Sequence, residues 1–283
     1  MKLSRLALAV ALLPGVQVFA AEQELPSMLI TSARQAEPRA QATAANTVFT
    51  RADIERLQAR SVPELLRRVP GVQVSSAGGL PSLSLRGTGT AQTLVLVDGQ
   101  RIASATSGFA RLDYLAIDNI ERVEVIRGPR SSLYGADAIG GVIQIFTRGG
   151  KPGINPEVRL AAGSDQTFQR SLSLAAGTEQ TRVHLGASLD ERDGFDITRD
   201  NRGADRDNDG QRNKALHLKL DHQFDANWKA GLSLNDQRGK NEYDDAYEFA
   251  PGHTSGRVSR QQLQRLSGRP AKRHLEQPSG AGS

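Results

Sequence analysis

The predicted fold follows from VEVIRGPRSSLYGADAIGGVIQ, residues Val123–Gln144. An alternating apolar run, typical of a strand, stops at Arg127-Gly128-Pro129, and a second run opens after Gly140-Gly141. The glycines between them allow backbone turns that residues with a Cβ disfavour. The stretch therefore predicts strand, loop and strand, with Arg127 and Arg130 as permanent charges that need carboxylate partners wherever they are buried.

The residues before this stretch predict a mixed α/β unit. Thr50-Arg51-Ala52-Asp53 offers a cap for a helix that runs through Ala59, and Ser61-Val62-Pro63-Glu64 is a capping box for a helix ending at Pro70-Gly71. Asp98-Gly99 is a hairpin signal. Short strands are predicted at Val72–Val74, Leu83–Arg86 and Leu94–Val97, and a helical turn at Ile117–Ile120.

Four motifs in this unit occur in a recognisable order: SVPELLRRVPGVQV, LSLRG, LVLVDGQRI and IERVEVIRGPRSSLYG. They resemble the plug domain of TonB-dependent outer-membrane receptors, most of all those of the cobalamin type. The resemblance implies a plug over residues 47–150, held inside a barrel. It also implies that Arg86 and Arg127 face carboxylates on the barrel wall, and that outward plug loops contact substrate through Ala77, Ser82 and Ser107.

The N-terminal 46 residues carry two signals. Met1–Ala20 has a charged start, an apolar run and small residues at its end, which predicts a secretory signal peptide. Residues 21–46 are polar and predicted to be mobile, apart from a β-prone island that can add to the edge of another sheet. By its position this island resembles the TonB box, the segment that engages TonB; its residues are Ser27, Met28, Leu29, Ile30, Thr31, Ser32 and Ala33.

Residues 151–254 change to period-two alternation with regular turn signals. A soluble β-sandwich and a membrane barrel both show this pattern. The polar face carries His184, His217, Lys219 and Asp221, which suit a wet lumen better than a sheet packed on another sheet. The predicted fold class is therefore an α+β plug domain followed by about five antiparallel strands of an incomplete outer-membrane β-barrel.

Residues 255–283 are predicted to be an irregular basic tail, because they show neither alternation nor a terminal aromatic strand. Residues 256–283 hold six Lys and Arg against one acid, so the net charge of +5 belongs to this tail and argues little for nucleic acid. Since a plugged transporter closes with 22 strands, the sequence predicts the N-terminal part of a transporter with a truncated or out-of-frame ending.

The loop Glu191–Lys214 is rich in aspartate, including a D-x-D-x-D-G run from Asp205. A solvated acidic loop is one interpretation, and a calcium site is the other, since clustered carboxylates suit a hard cation. An EF-hand is excluded because its twelfth position is Leu216. The resemblance implies calcium ligands of the cobalamin-transporter type at Asp196, Asp207, Asp209, Asp244 and Asp245.

The predicted function is TonB-dependent transport of cobalamin across the bacterial outer membrane, with TonB, a large chelate ligand and outer-membrane lipid as partners. Two alternatives stay open: a siderophore or haem receptor, and a soluble periplasmic plug module that binds TonB. An enzyme is not predicted, because the histidines are scattered and no P-loop glycine motif occurs. Calcium is the one expected cofactor.

Overall fold

The computed structural model describes residues 29–30, 37–38, 45–77, 80–103, 110–195, 208–242 and 255–268. Side chains are described for 45–75, 82–103, 110–195 and 208–242. Two short strands, β1 (Leu29–Ile30) and β2 (Glu37–Pro38), pair antiparallel near the N-terminus. No helix in the described residues is both long and apolar enough to cross a membrane.

Residues 45–148 form an α/β unit, here called the N-terminal domain. Its five-stranded sheet has the order β3-β8-β9-β6-β7, in which only β6 and β9 run parallel, and β4 and β5 form a separate hairpin. The elements are β3 (Asn46–Thr50), α1 (Arg51–Leu57), α2 (Val62–Leu66), β4 (Val72–Ala77), β5 (Leu80–Leu85), β6 (Thr93–Val97), β7 (Gln100–Arg101), β8 (Ile120–Arg127), α3 (Ser131–Tyr134) and β9 (Gly141–Thr147).

Both predicted helix starts are confirmed. Thr50 and Asp53 cap α1 reciprocally, and the Ser61 side chain accepts a hydrogen bond from the Glu64 backbone N–H at the start of α2. The predicted end at Pro70-Gly71 is wrong, because α2 ends at Leu66. The chain then tightens into three-residue turns, in which the Val69 N–H donates to the Leu66 carbonyl.

The opening stretch folds as predicted, with β8 and β9 as antiparallel neighbours and α3 in the loop between them. Both strands are central and buried: Val125 and Ile143 are 0% exposed and belong to the main hydrophobic core with Leu65 of α2. Gly141 has φ +151°, and a Cβ there would overlap the Ile126 carbonyl oxygen. The close approach of β9 to β8 therefore requires glycine at this position.

The remaining strands form one antiparallel sheet, here called the C-terminal sheet, in which each strand pairs with the next along the chain. It is open in the described residues. The strands are β10 (Gly153–Ala162), β11 (Phe168–Gly177), β12 (Thr181–Arg192), β13 (Gln211–Gln223), β14 (Lys229–Glu242) and β15 (Ser255–Gly268).

The last of these strands corrects the prediction of an irregular tail beginning at residue 255. Ser255–Gly268 pairs with β14 over its whole length, from Ser255 opposite Glu242 to Gly268 opposite Lys229. Its sequence has no regular apolar alternation, but the edge of β14 offers a full row of backbone hydrogen bonds to the next segment. Backbone pairing thus makes a strand where the apolar pattern gave no signal.

The predicted alternation of the C-terminal sheet is confirmed. One face exposes large apolar side chains, and the other turns toward the N-terminal domain. The exposed positions include Val158, Leu160, Leu172, Leu174, Leu185, Leu216, Leu220 and Leu234, and the buried polar ones include Gln169, Ser173, His184, His217, Ser233 and Asn241. The prediction of a wet polar face is wrong where the N-terminal domain covers it, because His184 and His217 are both 0% exposed.

Candidate functional site

Asp98, in the turn between β6 and β7, forms a polar contact between the N-terminal domain and the polar face of the C-terminal sheet. The Asp98 carboxylate accepts hydrogen bonds from the Thr147 N–H at 3.0 Å and from the Thr147 hydroxyl. Lys219 of β13 completes the group, with Nζ 3.2 Å from Asp98 Oδ1. Their side chains are 15% and 6% exposed, so solvent screens this ion pair only weakly.

Two arginines tie the domain to the first strand of the sheet. Arg148, just before β10, places Nη2 2.6 Å from Glu157, and Arg159 of β10 places Nη1 2.7 Å from Asp118. Burial by itself lowers the pKa of Arg148. The hydrogen bond and the charge of the Glu157 carboxylate outweigh the effect of burial, so the pKa of Arg148 lies above its usual value. The guanidinium is therefore a permanent charge at this junction.

A buried histidine pair lies beside this junction. The rings of His184 and His217 are 5.3 Å apart between centroids. His217 Nε2 lies 3.1 Å from the Arg148 carbonyl oxygen, and Nδ1 lies 2.7 Å from Asn235 Oδ1. Neither ring nitrogen of His184 has a hydrogen-bond partner among the described residues. His217 thus links β13 to the end of the N-terminal domain.

Small residues let the two parts of the chain approach each other. A Cβ at Gly239 would overlap the Tyr114 ring, and one at Gly186 would lie 2.6 Å from Asn119 Oδ1. Gln211 and Asn213 donate to the same carbonyl oxygen, that of Asp113, at 3.3 and 3.2 Å. Gly186 and Gly239 were not predicted as contact positions. The sequence feature that could have indicated them is that each interrupts the polar residues on the inward face of its strand.

A polar cleft of about 410 Å³ lies along the same interface. It lies near the ends of β11 to β14, at the edge of the sheet where residues 193–210 connect β12 to β13 and residues 243–254 connect β14 to β15. Three buried polar atoms of its lining, Thr167 Oγ1, Arg192 Nε and Asn213 Oδ1, have no hydrogen-bond partner among the described residues. The charged residues of the lining are Arg60, Glu64, Arg67, Asp113, Asp118, Asp190 and Arg192.

The residues predicted to face carboxylates on the wall lie together within the N-terminal domain. Arg127 donates from Nη1 to the Pro70 carbonyl at 2.9 Å and from Nη2 to the Asn46 carbonyl at 3.4 Å. Arg86 has φ +52° and places Nη1 3.3 Å from where a Cβ of Gly128 would be. A carboxylate partner on the wall stays a prediction for both arginines.

The predicted substrate contacts are only partly described. Ala77 pairs with Leu80 at the tip of the hairpin formed by β4 and β5. Ser82 is exposed, and its hydroxyl lies 2.7 Å from the Ser75 hydroxyl. Ser107 lies outside the described residues. Their role in substrate binding therefore stays a prediction.

Of the predicted calcium ligands, only Asp209 falls within the described residues, and it is 3% exposed. Its backbone N–H donates to the Phe195 carbonyl at 3.3 Å, which closes the base of the loop. Asp196, Asp207, Asp244 and Asp245 lie outside the described residues. Where side chains are described, no group of three or more metal-ligating residues occurs. A buried carboxylate at a loop base fits a hard cation chemically but does not make a site alone.

Of the predicted TonB box, the structure describes the backbone of Leu29 and Ile30, which form β1. They pair with Pro38 and Glu37 in β2. Ser27, Met28, Thr31, Ser32 and Ala33 lie outside the described residues. The segment therefore has at least one stretch in extended conformation, as strand addition requires.

The sequence of the N-terminal domain matches a family model over residues 38–142, and that model describes the TonB-dependent receptor plug domain. This part of the chain is a plug domain. The C-terminal sheet, which follows the plug domain in the chain and packs on it, resembles the start of the barrel of TonB-dependent receptors.

Solved structures of such receptors share this fold. The ferric enterobactin receptor of Pseudomonas aeruginosa, solved as a mutant with enterobactin, is 25% identical with a TM-score of 0.57, over 71% of this chain and 34% of that chain. The ferripyoverdine receptor of the outer membrane of Pseudomonas aeruginosa, bound to ferripyoverdine, is 19% identical with a TM-score of 0.62, over 76% and 28%.

The ferric yersiniabactin uptake receptor of Yersinia pestis is 21% identical with a TM-score of 0.57, over 71% of this chain and 32% of that chain. The chain thus spans about a third or less of the length of the receptors it matches. What the comparisons establish for this chain is the plug domain and the fold of the sheet behind it.

Proposed function

We propose that this protein acts in TonB-coupled uptake of a large chelate ligand across the bacterial outer membrane. The plug domain is the gate, and the C-terminal sheet is part of the wall that encloses it. One observation carries the proposal: the sheet binds the plug domain through the shielded Lys219–Asp98 pair on one face and exposes leucines on the other. A wall between a polar gate and lipid needs this asymmetry.

The exposed face supports a lipid environment. Leu174 and Leu185 lie side by side in the middle of the sheet, on β11 and β12, and are 39% and 45% exposed. Leu218 of β13 and Leu234 of β14 continue the same row. In water such a continuous apolar band marks an interaction surface, and in a membrane barrel it meets the acyl chains.

The ligand class that we favour is a ferric siderophore. The three solved receptors above are named for ferric enterobactin, ferripyoverdine and ferric yersiniabactin. The polar cleft beside the plug domain suits a ligand with many hydrogen-bonding groups, because it offers arginines, carboxylates and amides together. This assignment rests on similarity of fold and is the part of the proposal that needs a direct measurement.

Cobalamin is the second candidate. The aspartate-rich loop resembles that of cobalamin transporters, and Asp209, the one predicted calcium ligand that the structure describes, is buried rather than solvated. We propose calcium as the ion that Asp196, Asp207, Asp209, Asp244 and Asp245 hold, with the loop ordered by it before ligand binds. Terbium luminescence of the full chain tests this, with competition by calcium expected for wild type and lost in Asp209→Asn.

The experiment that tests ligand class uses the full chain in detergent micelles. Ferric enterobactin and cyanocobalamin are titrated separately, with and without calcium, and the heat of binding is measured by isothermal titration calorimetry. Binding of one ligand with micromolar or tighter affinity, about −8 kcal/mol, is expected. Preference for the ferric chelate without need of calcium supports the siderophore assignment, and calcium-dependent binding of cyanocobalamin supports the alternative. Binding of neither ligand contradicts both assignments.

TonB is the proposed partner, and Ser27–Ala33 is the proposed contact. In the chain alone, β1 pairs with β2, so TonB would replace β2 as the neighbour of Leu29–Ile30. Main-chain hydrogen bonds would then supply most of the affinity. The test is a pull-down of the full chain on immobilised TonB, in which Ile30→Pro, which cannot donate to a ladder, abolishes capture while Ile30→Val preserves it.

Export to the outer membrane through a cleaved signal at residues 1–20 completes the proposal. Expression of the full chain in a Gram-negative host should yield outer-membrane material whose N-terminus lies just after Ala20. Replacement of the charged residues Lys2 and Arg5 and of the apolar run after them should leave the protein uncleaved inside the cell.

A further inference from the structure

His184 places a titratable ring inside the junction between the plug domain and the C-terminal sheet. It lies on the inward face of β12 and is 0% exposed. Neither of its ring nitrogens has a hydrogen-bond partner among the described residues. A buried polar group without a partner costs free energy, so packing alone does not explain a histidine at this position.

The neighbours of His184 offer no acceptor for a second ring proton. In strand register, the residue beside it is Ala175 on β11 and Lys219 on β13. The ring of His217 lies 5.3 Å away between centroids, but both of its nitrogens already have other partners. A proton added to His184 would therefore gain no hydrogen bond from the residues around it.

Two ion pairs act on His184 from the elements packed against it. Glu157 lies 2.6 Å from Arg148 at the end of the plug domain, and Asp98 lies 3.2 Å from Lys219 on the adjacent strand. The charges within each pair balance while His184 is neutral. A proton on His184 would add an uncompensated positive charge beside Arg148 and Lys219, in an interior that solvent screens only weakly.

Burial and the neighbouring cations thus keep the His184 ring neutral while the junction is closed. An imidazole in water is protonated below about pH 6.5, so the ring takes up a proton when the plug domain leaves. The neutral ring therefore stabilises the closed junction above about pH 6.5, and this stabilisation declines as pH falls below that value. Carboxylates ordinarily titrate at about pH 4, so the two ion pairs keep their charges over this range.

We propose that His184 is a proton-sensing site that makes release of the plug domain from the sheet easier in acid. His217 has a positioning role, because its contact with the Arg148 carbonyl oxygen keeps its ring beside His184 at the junction. The inference rests on the proposed function in one respect, that the plug domain is a gate that moves, and it does not depend on which ligand the gate admits. A purely structural histidine would leave release independent of pH.

The test measures how fast a thiol reagent reaches the covered face of the sheet. The chain contains no cysteine, so Ser233→Cys gives the full chain a single thiol on the inward face of β14, at a position that is 0% exposed. Its labelling rate in detergent micelles is divided, at each pH, by that of Ala226→Cys in an exposed turn. This ratio removes the effect of pH on the thiol itself. It should rise about tenfold between about pH 7.5 and about pH 5.5, because opening takes up one proton.

Two further variants, each combined with the same cysteines, assign the pH dependence to one ring. His184→Phe has no titratable group at this position, so the labelling ratio should change about twofold at most over the same range. His222→Gln is the matched control. His222 also lies on β13, but on the outward face, where its Nδ1 is 2.8 Å from the Thr181 hydroxyl. This control should keep the full rise.

A rise that persists undiminished in His184→Phe, or a ratio that does not change with pH when His184 is present, overturns the proposal. If His184→Phe does not fold, His184→Gln takes its place with the same expectation. Flotation of the full chain with phosphatidylcholine vesicles tests the membrane wall separately, and the pH profile decides this inference in either case. A chain that floats but shows a flat profile disproves this inference alone, whereas a chain that does not float disproves the wall.

Discussion

Lys219 of the C-terminal sheet and Asp98 of the plug domain form an ion pair of 3.2 Å that joins the two parts of the chain. They are 121 residues apart in sequence. The same carboxylate accepts from the Thr147 N–H, so the pair also holds the end of β9. Because the pair is shielded, removal of one partner leaves the other as an uncompensated buried charge.

We expect Lys219→Met to loosen the plug domain from the sheet. Loss of one partner of a buried pair costs about 3 kcal/mol, so trypsin should cut the plug domain of the full chain much faster than in wild type. Lys229→Met, which removes an exposed lysine 3.5 Å from Asp221, should change the cleavage rate little. Similar rates for the two variants would show that the Asp98 pair does not hold the plug domain.

Gly239→Ala should disturb the same interface by overpacking. A Cβ at this position meets the buried ring of Tyr114, and such overpacking costs about 1–3 kcal/mol. Chemical unfolding of the full chain measures the loss. Gly149→Ala is the control, because a Cβ there has no atom within 4 Å.

The double variant Gly239→Ala/Tyr114→Leu provides the check on that explanation. If the ring causes the strain, adding Gly239→Ala to Tyr114→Leu costs almost nothing. If the double variant is instead less stable than Tyr114→Leu by the full cost of Gly239→Ala, the Tyr114 ring does not cause the strain.

The cap of α1 predicts a pH dependence. The Thr50 hydroxyl and backbone N–H donate to Asp53, and together with Arg56 they lower the pKa of Asp53 below its usual value. A carboxyl with a lowered pKa in the folded state stabilises the fold above its unfolded-state pKa, and this stability is lost as pH falls through the folded value.

Thr50→Val should therefore destabilise the plug domain at about pH 7 by about 1 kcal/mol. The difference from wild type should shrink as pH falls through the lowered pKa of Asp53, because the protonated carboxyl no longer needs the Thr50 donors. Arg56→Gln serves as the comparison, since its side chain is 74% exposed and its removal should have little effect. A Thr50→Val difference that stays constant with pH would remove Asp53 from the explanation.

Leu185→Arg distinguishes a lipid-facing sheet from one in water. Leu185 lies mid-strand on the outward face and is 45% exposed. In lipid a charge there costs about 2–4 kcal/mol, so flotation with phosphatidylcholine vesicles should fall sharply. Leu185→Phe should float as wild type does. Undiminished flotation of Leu185→Arg would show that this face does not meet lipid.

Much of the plug domain could be predicted from local patterns. The alternation around Val125 and Ile143, the caps at Thr50 and Ser61 and the hairpin at Asp98-Gly99 all depend on neighbours within a few residues. Motif resemblance supplied the order of these elements. The end of α2 was missed because the three-residue turns after Leu66 have no sequence signal of their own.

The candidate site was predicted less well, because its contacts join residues far apart in sequence. Arg127 donates to the carbonyls of Pro70 and Asn46, contacts that no sequence pattern indicated, and its predicted carboxylate partner on the wall stays a prediction. The partner of Lys219 could not be predicted either, because the turn that carries Asp98 lies next to Lys219 only in the folded protein. The strand Ser255–Gly268 also escaped prediction, because backbone pairing rather than side-chain pattern forms it.

The amino-acid sequence by itself determined which faces of the strands are apolar and where α1 and α2 begin, since these follow from side-chain periodicity and local capping chemistry. Only the tertiary structure decided which polar side chains meet across the interface. Asp98 pairs with Lys219, and Gly239 makes room for Tyr114. The residues of each pair are far apart in sequence, so no local pattern of residues indicates that they meet.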